Sequence, residues 1–539
     1  MSSMASNETK MSSTPQPSSA GRSAFLVAAG IFLSRIVGFL RQRILAHYFG
    51  NGLVADAFQA AMKIPNFLQT LFGEGVLSAS FIPVYAKLKA QGRQDEAGRV
   101  AGAIFSLLAL ITSLLVLAGV LATPWLTAAI APGFEGERRR LTIQLVRILF
   151  PGVGFLVLSS WCLGILNSHG KFFLSYVSPV VWNAAVIASL IWYGGRSDLP
   201  HLAVYGIWGS VAGSLLQLLI QLPVVLRLAP AIRLGFALAD QNVRAVITNF
   251  FPVFVSRGVV QLSAFVDTIL ASPLPTGSVA ALGYAQTIYL LPVSLFGMAV
   301  SAAELPAMSS ALGDERQVAE LLGARISAST RRIGFFVVPS AVAFLALGDL
   351  IAAAIYQTGR FHRSDATWVW GILAGSAIGL VASTVGRLYS SAYYALRDTR
   401  TPLRFAVLRV VLTTVLGYLA AIPLPKLLGI DPKWGVAGLT ASAGVAAWLE
   451  FVLLRRGMEK RIGHMQFPVT YFVKLWLSAI VAAGVAWGIR LGLHPRHPLA
   501  AAALVLIPYA LVYLGLTALL GIDQVTRRLA GRSQAKNTP

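Results

Sequence analysis

AGAIFSLLALITSLLVLAGVLATPWL, residues 101–126, carries no charged side chain over a length that suits a membrane-spanning helix. A helix that crosses the hydrocarbon core of a bilayer needs about 20 mostly apolar residues, and windows of this kind recur along the whole chain. Backbone polar groups in lipid must be bonded internally, and these windows are too long and unbroken for barrel strands, so they predict an all-α integral membrane protein. The fourteen predicted transmembrane spans are 22–48, 53–86, 99–129, 140–166, 172–194, 201–228, 243–271, 277–311, 328–356, 367–395, 402–423, 433–455, 469–492 and 498–520.

The composition also indicates a lipid environment. Hydrophobic residues make up 56% and charged residues 12% of the 539 positions, and the mean hydropathy is +0.70, which is typical of a membrane protein and not of a soluble domain. The net charge of +23 comes from Lys and Arg in short connections between apolar runs. Because there is no basic domain and no interleaved aromatic patch, nucleic acid is not a predicted partner.

Motifs of catalysis are absent from the sequence. It contains no HExxH, no CxxC, no P-loop and no GxGxxG after a strand, so it predicts neither an enzyme nor a bound cofactor or metal. Cys162 is the only cysteine, which excludes an internal disulfide. Its place in an apolar run predicts a small buried hydrophobic residue.

The distribution of Lys and Arg predicts the orientation of the chain. With the N-terminus inside the cell, the inner connections and tails hold about 25 of these residues and the outer ones about 10, which places both termini in the cytoplasm by the positive-inside rule. The loop GERRR at 136–140 is a predicted outer loop that departs from this rule. Residues 1–20 are rich in Ser, Thr and Pro and predict a disordered cytoplasmic tail without a signal peptide, and residues 523–539 predict a second cytoplasmic tail.

Internal similarity predicts two repeated lobes, as in many transporters. Three patterns recur with nearly one offset: Ser34-Arg35 as Ser256-Arg257, IP…LFG…IP at 64–83 as LP…LFG…LP at 291–306, and residues 164–172 as residues 394–402. The predicted units are an N-terminal six-helix lobe at 21–230, a C-terminal six-helix lobe at 231–457, and two additional transmembrane helices at 458–522.

Charged side chains inside the predicted spans are candidates for function. Each costs roughly 2.5 to 3.5 kcal/mol at the centre of a membrane helix even on the lenient insertion scale, and such residues usually face a cavity or a partner. They are Arg35, Arg41 and Arg43 in span 1, Asp56, Lys63 and Glu74 in span 2, Arg257 and Asp267 in span 7, Glu304 in span 8, and Arg387 in span 10.

Helical spacing groups several of these side chains. Ser34 and Arg41 fall on one face of span 1, and Asp56, Lys63 and Glu74 form one stripe along span 2. Two adjacent polar stripes predict a wet interface, and arginine in such a cavity favours a phosphate or diphosphate. The alternative is that Arg41 and Glu74 neutralise each other inside a packed bundle.

Four further residues are predicted to allow movement. Gly38 is expected to let a neighbouring helix approach span 1 closely, while Pro65, Gly73 and Gly75 are expected to let span 2 bend as the lobes rock. Spans 13 and 14 contain almost no ionisable residues, and their apolar face is predicted to accommodate a lipid tail.

The polar residues of spans 1 and 2 belong to a longer pattern. SRIVGFLRQRILAHYFG…ADAF…KIPNFLQTLFGEGVLSASFIPVY at 34–85, with LNSHGKF…SP…WN at 166–183 and YQTGRF at 356–361, resembles the MurJ/MviN family. These are the bacterial lipid II flippases of the multidrug/oligosaccharidyl-lipid/polysaccharide exporter superfamily. The resemblance extends over residues 22–525.

The resemblance implies a V-shaped, non-enzymatic transporter in the bacterial cytoplasmic membrane. It would move lipid II, the undecaprenyl-diphosphate-linked peptidoglycan precursor, from the inner to the outer leaflet by alternating access. The implied partners are lipid II, membrane lipids and other cell-wall synthesis proteins. The residues predicted to bind the substrate, with Arg35 and Arg41 in an inward-open cavity, are Ser34, Arg35, Arg41, Asp56, Glu74 and Arg257.

The sequence departs from the family's pattern at three positions. The family usually has arginines where Gln69 and Thr287 stand here, and often has an acid where this chain has Gln42. Either Arg35 and Arg257 take over the diphosphate, or this protein handles a different head group or a different step.

Two further alternatives stay open. Asp267 matches a position that is linked in some relatives to a bound cation, so it is a possible cation site or else a residue paired within its lobe. The function alternatives are an exporter of another lipid-linked saccharide or small molecule, and a non-transporting scaffold in envelope assembly.

Overall fold

The computed structural model of the protein describes residues 17–72, 74–309, 315–463, 467–493 and 497–522. Within these ranges the chain forms helices joined by short connections and no strand, which confirms the predicted all-α fold. A π-helical segment, Val293–Met298, joins two helices, and a short 3-10 helix covers Pro432–Trp434. The α-helices are α1 Pro17–Phe49, α2 Leu53–Phe72, α3 Glu74–Ala90, α4 Gln94–Ile130, α5 Gly136–Ser168, α6 Phe172–Tyr193, α7 Leu199–Leu228, α8 Gln241–Ala271, α9 Ser278–Pro292, α10 Ala299–Ser309, α11 Glu315–Tyr356, α12 Arg363–Ala395, α13 Arg400–Ala421, α14 Pro423–Leu427, α15 Gly435–Ile462, α16 Val469–Gly492 and α17 Pro498–Leu519.

Acidic side chains fix the starts of several helices. Asp240 accepts a hydrogen bond from Asn242 N at 2.8 Å before α8. Before α13, Asp398 accepts from the N–H groups of Arg400 and Thr401, each at 3.0 Å. The hydrogen bond from the Thr401 hydroxyl, together with these N–H groups, holds the pKa of Asp398 below its usual value. Such caps satisfy N–H groups that have no partner within the helix.

Eleven helical segments of the described chain are long and apolar enough to cross a membrane. They are α4, α5, α6, α7, α9 with α10, α11, α12, α13 with α14, α15, α16 and α17. The three other predicted spans also coincide with helices, namely α1, α2 followed by α3, and α8. The chain is therefore a multi-pass membrane protein, and the total of fourteen crossings stays a prediction.

The surface of α4 is apolar where it faces away from the protein. Leu114, Leu117, Leu121 and Trp125 are spaced by three or four positions and form one stripe, and each is 58 to 73% exposed. A continuous apolar stripe of this size is stable against lipid tails and not against water. By contrast, Cys162 of α5 is buried, as its apolar surroundings in the sequence predicted.

The two halves of the chain pack their helices in the same pairs. In the first half, α1 contacts α6, α2 contacts α5, α5 contacts α4 and α7, and α6 contacts α7. In the second half, α8 contacts α13, α9 contacts α12, α12 contacts α11 and α15, and α13 contacts α15. The helices can be numbered by the predicted span that each one occupies. In that numbering, α1 and α6 are spans 1 and 5 and α8 and α13 are spans 7 and 11, and every other pair is likewise shifted by six spans. This packing is the one that a six-helix repeat predicts, while the domain boundaries stay predictions.

The last two helices belong to the second half. α16 and α17 contact each other and α11. Arg490 of α16 forms an ion pair with Asp349 of α11, with Nη1 3.0 Å from Oδ1, and the Tyr513 hydroxyl of α17 donates to Phe335 O at 2.6 Å. Polar bonds of this kind fix the register of these helices against α11, and the Tyr509 hydroxyl and the Trp487 indole add two more, to Pro339 O at 2.7 Å and Ala346 O at 2.9 Å.

Candidate functional site

The two halves meet mainly where α2 and α3 contact α8 and α9. We call this surface the interlobe interface. Its contacts change in character from one end to the other: an ionic cluster near the start of α2, polar side chains in the middle, and aromatic rings near the start of α3. The predicted site residues lie on the helices that form this interface and on α1 beside it.

Arg41 lies on α1 next to α6, with its guanidinium carbon 4.8 Å from the centroid of the Trp182 ring. Its Nε and Nη1 atoms are buried and have no hydrogen-bond partner among the described residues. Buried polar atoms in folded proteins nearly always have a partner, so the partner of these two N–H groups is either a ligand or a residue outside the described ranges, and the binding role of Arg41 stays a prediction. The side chain of Glu74, the alternative partner of Arg41, lies outside the described residues.

Ser34 and Arg35 lie nearer the start of α1. Ser34 is half-buried and Arg35 is exposed. The step from Arg35 to Arg41 corresponds to about 240° of rotation and about 9 Å along a helix, so α1 does not present the two guanidinium groups on one face. Joint binding of one diphosphate by both arginines therefore stays a prediction.

Gly38 does not have the predicted packing role. A Cβ added there would meet only Asn183 Oδ1, at 3.9 Å, which is an ordinary contact. The close approach between α1 and α6 lies at Gly30 instead, where an added Cβ would be 2.9 Å from Tyr176 Cβ. The sequence shows which residues are small, but the distance between two helices at each level depends on how they cross.

Gln42, which follows Arg41, connects the two halves. Its Nε2 donates to Thr287 Oγ1 of α9 at 3.3 Å, and its Oε1 accepts from Gln59 Nε2 of α2 at 3.5 Å. Gln42 and Thr287 are two of the positions at which the sequence departs from the family's pattern. Because they are direct neighbours, a neutral amide–hydroxyl bond stands at the two positions where the family's pattern predicts an acid and an arginine.

We expect Thr287→Arg to destabilise the contact between the halves and the additional change Gln42→Asp to restore it. An arginine at 287 faces a neutral amide in a buried place, and an unpaired buried charge costs about 3 to 5 kcal/mol. An aspartate at 42 supplies the missing counter-charge. Thermal unfolding of the protein with either single variant or with the pair measures the coupling; equal unfolding temperatures of Thr287→Arg and the pair would contradict it.

Asp56 of α2 is the centre of an ionic cluster at the interlobe interface. Its Oδ2 accepts from Gly277 N at 2.7 Å and its Oδ1 from Ala280 N at 2.8 Å, at the start of α9. Nη1 of Arg138, on α5, lies 3.2 Å from Oδ2. A carboxylate at a helix N-terminus satisfies free N–H groups and interacts favourably with the helix dipole. We call these four residues the Asp56 cluster.

The geometry of Asp56 differs from its predicted role in substrate binding. The residue is 0% exposed, and both carboxylate oxygens already have partners from the protein. A carboxylate would also repel an anionic diphosphate. In this structure Asp56 therefore stabilises the contact between the halves, and the predicted wet stripe along span 2 is instead packed against protein at this level.

Arg138 is a residue that the sequence analysis did not select. Besides Asp56, its guanidinium donates to Gly133 O at 2.9 Å and Ser272 O at 3.3 Å, and it lies over the Phe134 ring at 4.2 Å. The sequence feature that could have pointed to Arg138 is the loop GERRR, which departs from the positive-inside rule. One of its arginines is explained by this buried carboxylate, and its neighbours Arg139 and Arg140 remain exposed.

The YQTGRF segment joins the same end of the interface. Arg360 N donates to His47 O at 2.8 Å, which ties the connection after α11 to the end of α1. Gly359 has φ +56°, and an added Cβ would lie 2.4 Å from His47 O, so only glycine fits there. The Tyr284 hydroxyl of α9 donates to Gly50 O at 2.9 Å. Backbone contacts thus close this end around the Asp56 cluster.

Lys63 and Asp267 lie in the middle of the interface. The Lys63 ammonium donates to Thr268 Oγ1, and Gln286 Nε2 donates to Asp267 Oδ2 at 3.2 Å. Lys63 is also close enough to act electrostatically on Asp267. No group of three or more His, Cys, Asp or Glu in the described ranges is arranged to hold a metal ion. These partners favour a paired Asp267, and the cation site stays a prediction.

Aromatic rings join the halves toward the start of α3. Phe67 of α2 packs against Phe265 of α8 with ring centroids 5.2 Å apart, and Phe72 packs against Phe254 at 5.1 Å. α3 continues this contact with α8. The predicted inward-open cavity is therefore not seen along this part of the interface, which is closed by packed rings.

Two acidic side chains in the helices of the second half form ion pairs. Glu304 lies 3.1 Å from Arg325, and Arg409 lies 2.9 Å from Glu450, while Arg387 is exposed on α12. The ion pairs reduce the cost of these charges within the membrane region.

Several predicted residues are outside the part of the chain that is described. Gly73 is one of them, and at Pro65, Glu74, Gly75 and Arg257 only the helical backbone is described. Their roles in bending and in substrate binding stay predictions. Gln69 is half-buried on α2.

A small apolar pocket of about 120 Å³ lies between α12, α15 and α16. Val385, Phe451 and Trp476 are among its lining residues. Its apolar lining is compatible with a hydrocarbon segment, and the predicted tail site on the last two helices stays a prediction.

Two halves whose helices pack in the same pairs, with polar contacts between them, define a class of multi-helix membrane proteins. Solved structures have this fold. A structure of lipid II flippase MurJ in an inward closed conformation matches with a TM-score of 0.77 and 23% identity, covering 93% of this chain and 100% of that one. An inward-facing multidrug resistance MATE family transporter of the MOP superfamily matches with a TM-score of 0.63 and 16% identity, covering 81% and 98%.

The chain belongs to the lipid II flippase MurJ family. The family model described as lipid II flippase MurJ matches residues 45–512. The lipid II flippase MurJ of Burkholderia cenocepacia is 31% identical over 520 residues, which cover 93% of this chain and 97% of that protein. A probable lipid II flippase MurJ of Rhizobium tropici is 32% identical over 452 residues, covering 82% and 81%. The family predicted from residues 34–85 is confirmed.

Proposed function

We propose that this protein is a lipid II flippase of the bacterial cytoplasmic membrane. It moves the undecaprenyl-diphosphate-linked peptidoglycan precursor from the inner to the outer leaflet by alternating access of its two halves, with both termini in the cytoplasm. The observation that carries this proposal within the family is Arg41, whose Nε and Nη1 are buried beside Trp182 without a hydrogen-bond partner among the described residues. A guanidinium whose N–H groups have no partner among the described residues suits phosphate oxygens.

The mechanism follows from the contacts between the halves. Opening toward the outside requires separation of the Asp56 cluster and of the backbone bond between Arg360 and His47. Opening toward the inside requires separation of the rings of Phe72 and Phe254. The contacts at the two ends differ in chemistry. A ligand bound between them near Arg41 can therefore favour the outward-open or the inward-open state by binding that state more tightly.

No nucleotide-binding motif supplies energy to this cycle. Each elementary charge that crosses a potential of 100 mV gains or loses about 2.3 kcal/mol. A diphosphate head group that moves outward is therefore assisted by a membrane potential that is negative inside. Consumption of lipid II by cell-wall synthesis proteins outside the membrane removes the product.

A depletion strain tests the proposal. The full chain is expected to restore growth when the resident lipid II flippase is depleted, and to restore lipid II that is accessible from outside in a leaflet-specific assay. The Arg41→Ala variant serves as the matched negative control. Growth without translocated lipid II would indicate a scaffold, and failure of both readouts with normal abundance would indicate an exporter of another lipid-linked saccharide.

The exporter alternative has one specific observation in its favour. Gln69 and Thr287 are uncharged where family members usually have arginines. The bond between Thr287 and Gln42 supports the opposite reading at one of these positions, because a counter-charge was lost together with the arginine. The exporter alternative therefore concerns the identity of the transported head group.

A further inference from the structure

A basic groove lies on the outer side of α5, away from the interlobe interface. Arg140, Gln144 and Arg147 line it together with Ile143 and Ile148, and its volume is about 500 Å³. Arg140, Gln144 and Arg147 are exposed, while the isoleucines between them are half-buried. We call this surface the α5 groove.

The α5 groove faces in the opposite direction from the Asp56 cluster. At about 100° per residue, Arg140 is rotated by about 200° from Arg138, whose side chain reaches Asp56. Within the described ranges, Arg140 and Arg147 make no ion pair, in contrast to Arg138. The bond that explains Arg138 therefore does not explain the other two arginines.

The packing of α4 on α5 sets the level of the groove. A Cβ added at Gly119 would lie 2.1 Å from Phe150 Cε1, so these two residues are at one level of an antiparallel pair. From that level, six residues toward the end of α4 lead to Trp125, and six residues toward the start of α5 lead to Gln144. Trp125 is 73% exposed, and exposed tryptophan at the end of a membrane helix is typical of the interface between lipid tails and head groups.

Helix length agrees with this level. The 33 residues of α5 extend over about 50 Å, compared with about 30 Å of hydrocarbon. The first turns of α5 therefore project into the head-group region. Arg140 and Arg147 are separated by about 10 Å along the axis, and a long side chain at the inner position can extend back toward the head groups.

We propose that the α5 groove binds the phosphate of an anionic phospholipid in the leaflet at the Gly136 end of α5. The two arginines and Gln144 supply donors to the phosphate, since guanidinium groups bind phosphate oxygens in pairs. Ile143, Ile148 and the apolar stripe of α4 contact the acyl chains. The predicted topology makes this the outer leaflet, and the site does not depend on the transport function.

Native mass spectrometry of the full-length protein in mixed lipids tests the site. The purified protein is equilibrated with phosphatidylglycerol and phosphatidylethanolamine, and the bound lipids are counted for the wild type, for Arg140→Gln with Arg147→Gln, and for Arg139→Gln. Arg139 is exposed but is rotated by about 100° from Arg140, so it is the matched control. Thermal unfolding of each variant verifies that it is folded.

The wild type and Arg139→Gln are expected to prefer phosphatidylglycerol. The double variant is expected to lose this preference by about thirtyfold, as the removal of two arginines near a bilayer surface implies. Equal preference in the wild type and the double variant would overturn the proposal, and so would an equal loss in Arg139→Gln. Displacement of the bound lipid by millimolar inorganic phosphate would overturn the lipid as the occupant and assign the groove to a free anion.

Discussion

Arg41→Ala is expected to abolish the rescue of a strain depleted of its lipid II flippase while the variant remains at normal abundance in the membrane. The substitution removes a cation whose Nε and Nη1 are buried without a hydrogen-bond partner among the described residues; of its described contacts it loses the one with the Trp182 ring, so the fold is expected to persist. A hydrogen bond to a charged group contributes about 1.5 to 3 kcal/mol. Loss of two such bonds weakens diphosphate binding by more than about a hundredfold.

Two variants separate the charge from its geometry. Arg41→Lys keeps the positive charge but loses the planar pair of donors, and it is expected to restore growth only in part. Arg43→Gln is the matched control, because Arg43 is half-buried on the same helix but is rotated by about 200°. Normal growth with Arg41→Ala would refute the assigned role of Arg41. A defect in Arg43→Gln as large as that of Arg41→Ala would show that span 1 needs its total charge and not this position.

The all-α membrane fold was predictable because it depends on the length of apolar segments. A window such as residues 101–126 can satisfy its backbone in lipid only as a helix, and α4 occupies it. The repeat was predictable in outline from patterns such as Ser34-Arg35 and Ser256-Arg257. The equivalent helix pairs of the two halves required coordinates, since packing partners are not encoded by periodicity within one helix.

The candidate site was predictable only up to the face of each helix. The cost of a charge in a membrane selected Arg41 and Asp56 correctly as unusual residues. It did not show that Asp56 lies opposite the start of α9 and Arg138, a partner 82 positions away in the sequence. For the same reason, Gly38 was expected at a close contact that lies at Gly30.

The departures from the family's pattern illustrate the same limit. Gln42 and Thr287 were each visible in the sequence as a missing charge. Only the structure shows that these residues, 245 positions apart, share a hydrogen bond. An acid at 42 without an arginine at 287, or an arginine at 287 without an acid at 42, would be a buried charge without a partner. Two neutral residues in contact avoid this cost.

Asp56→Asn is expected to shift the protein toward a state in which the Asp56 cluster is open, and to lower its thermal stability. An asparagine has one acceptor oxygen, so it cannot accept from both Gly277 N and Ala280 N as the carboxylate does. It also leaves Arg138 without its counter-ion. Breaking one partner of a buried ion pair costs about 3 to 5 kcal/mol, which is enough to invert a two-state equilibrium between closed and open forms.

Labelling of an introduced cysteine measures this shift. Ser278 is buried at the start of α9 beside the cluster, and the native Cys162 is buried as well, so Ser278→Cys gives a site that a membrane-impermeant maleimide reaches only when the cluster opens. Labelling is expected to be faster with Asp56→Asn than in the parent.

Adding Arg138→Gln removes the unpaired cation and is expected to reduce the labelling rate and recover part of the lost stability. Adding Arg139→Gln instead, at the neighbouring exposed position, is expected to change neither. If Arg138→Gln made the defect of Asp56→Asn larger, the two side chains would act independently, and the ionic cluster would not be what holds this end of the interlobe interface closed.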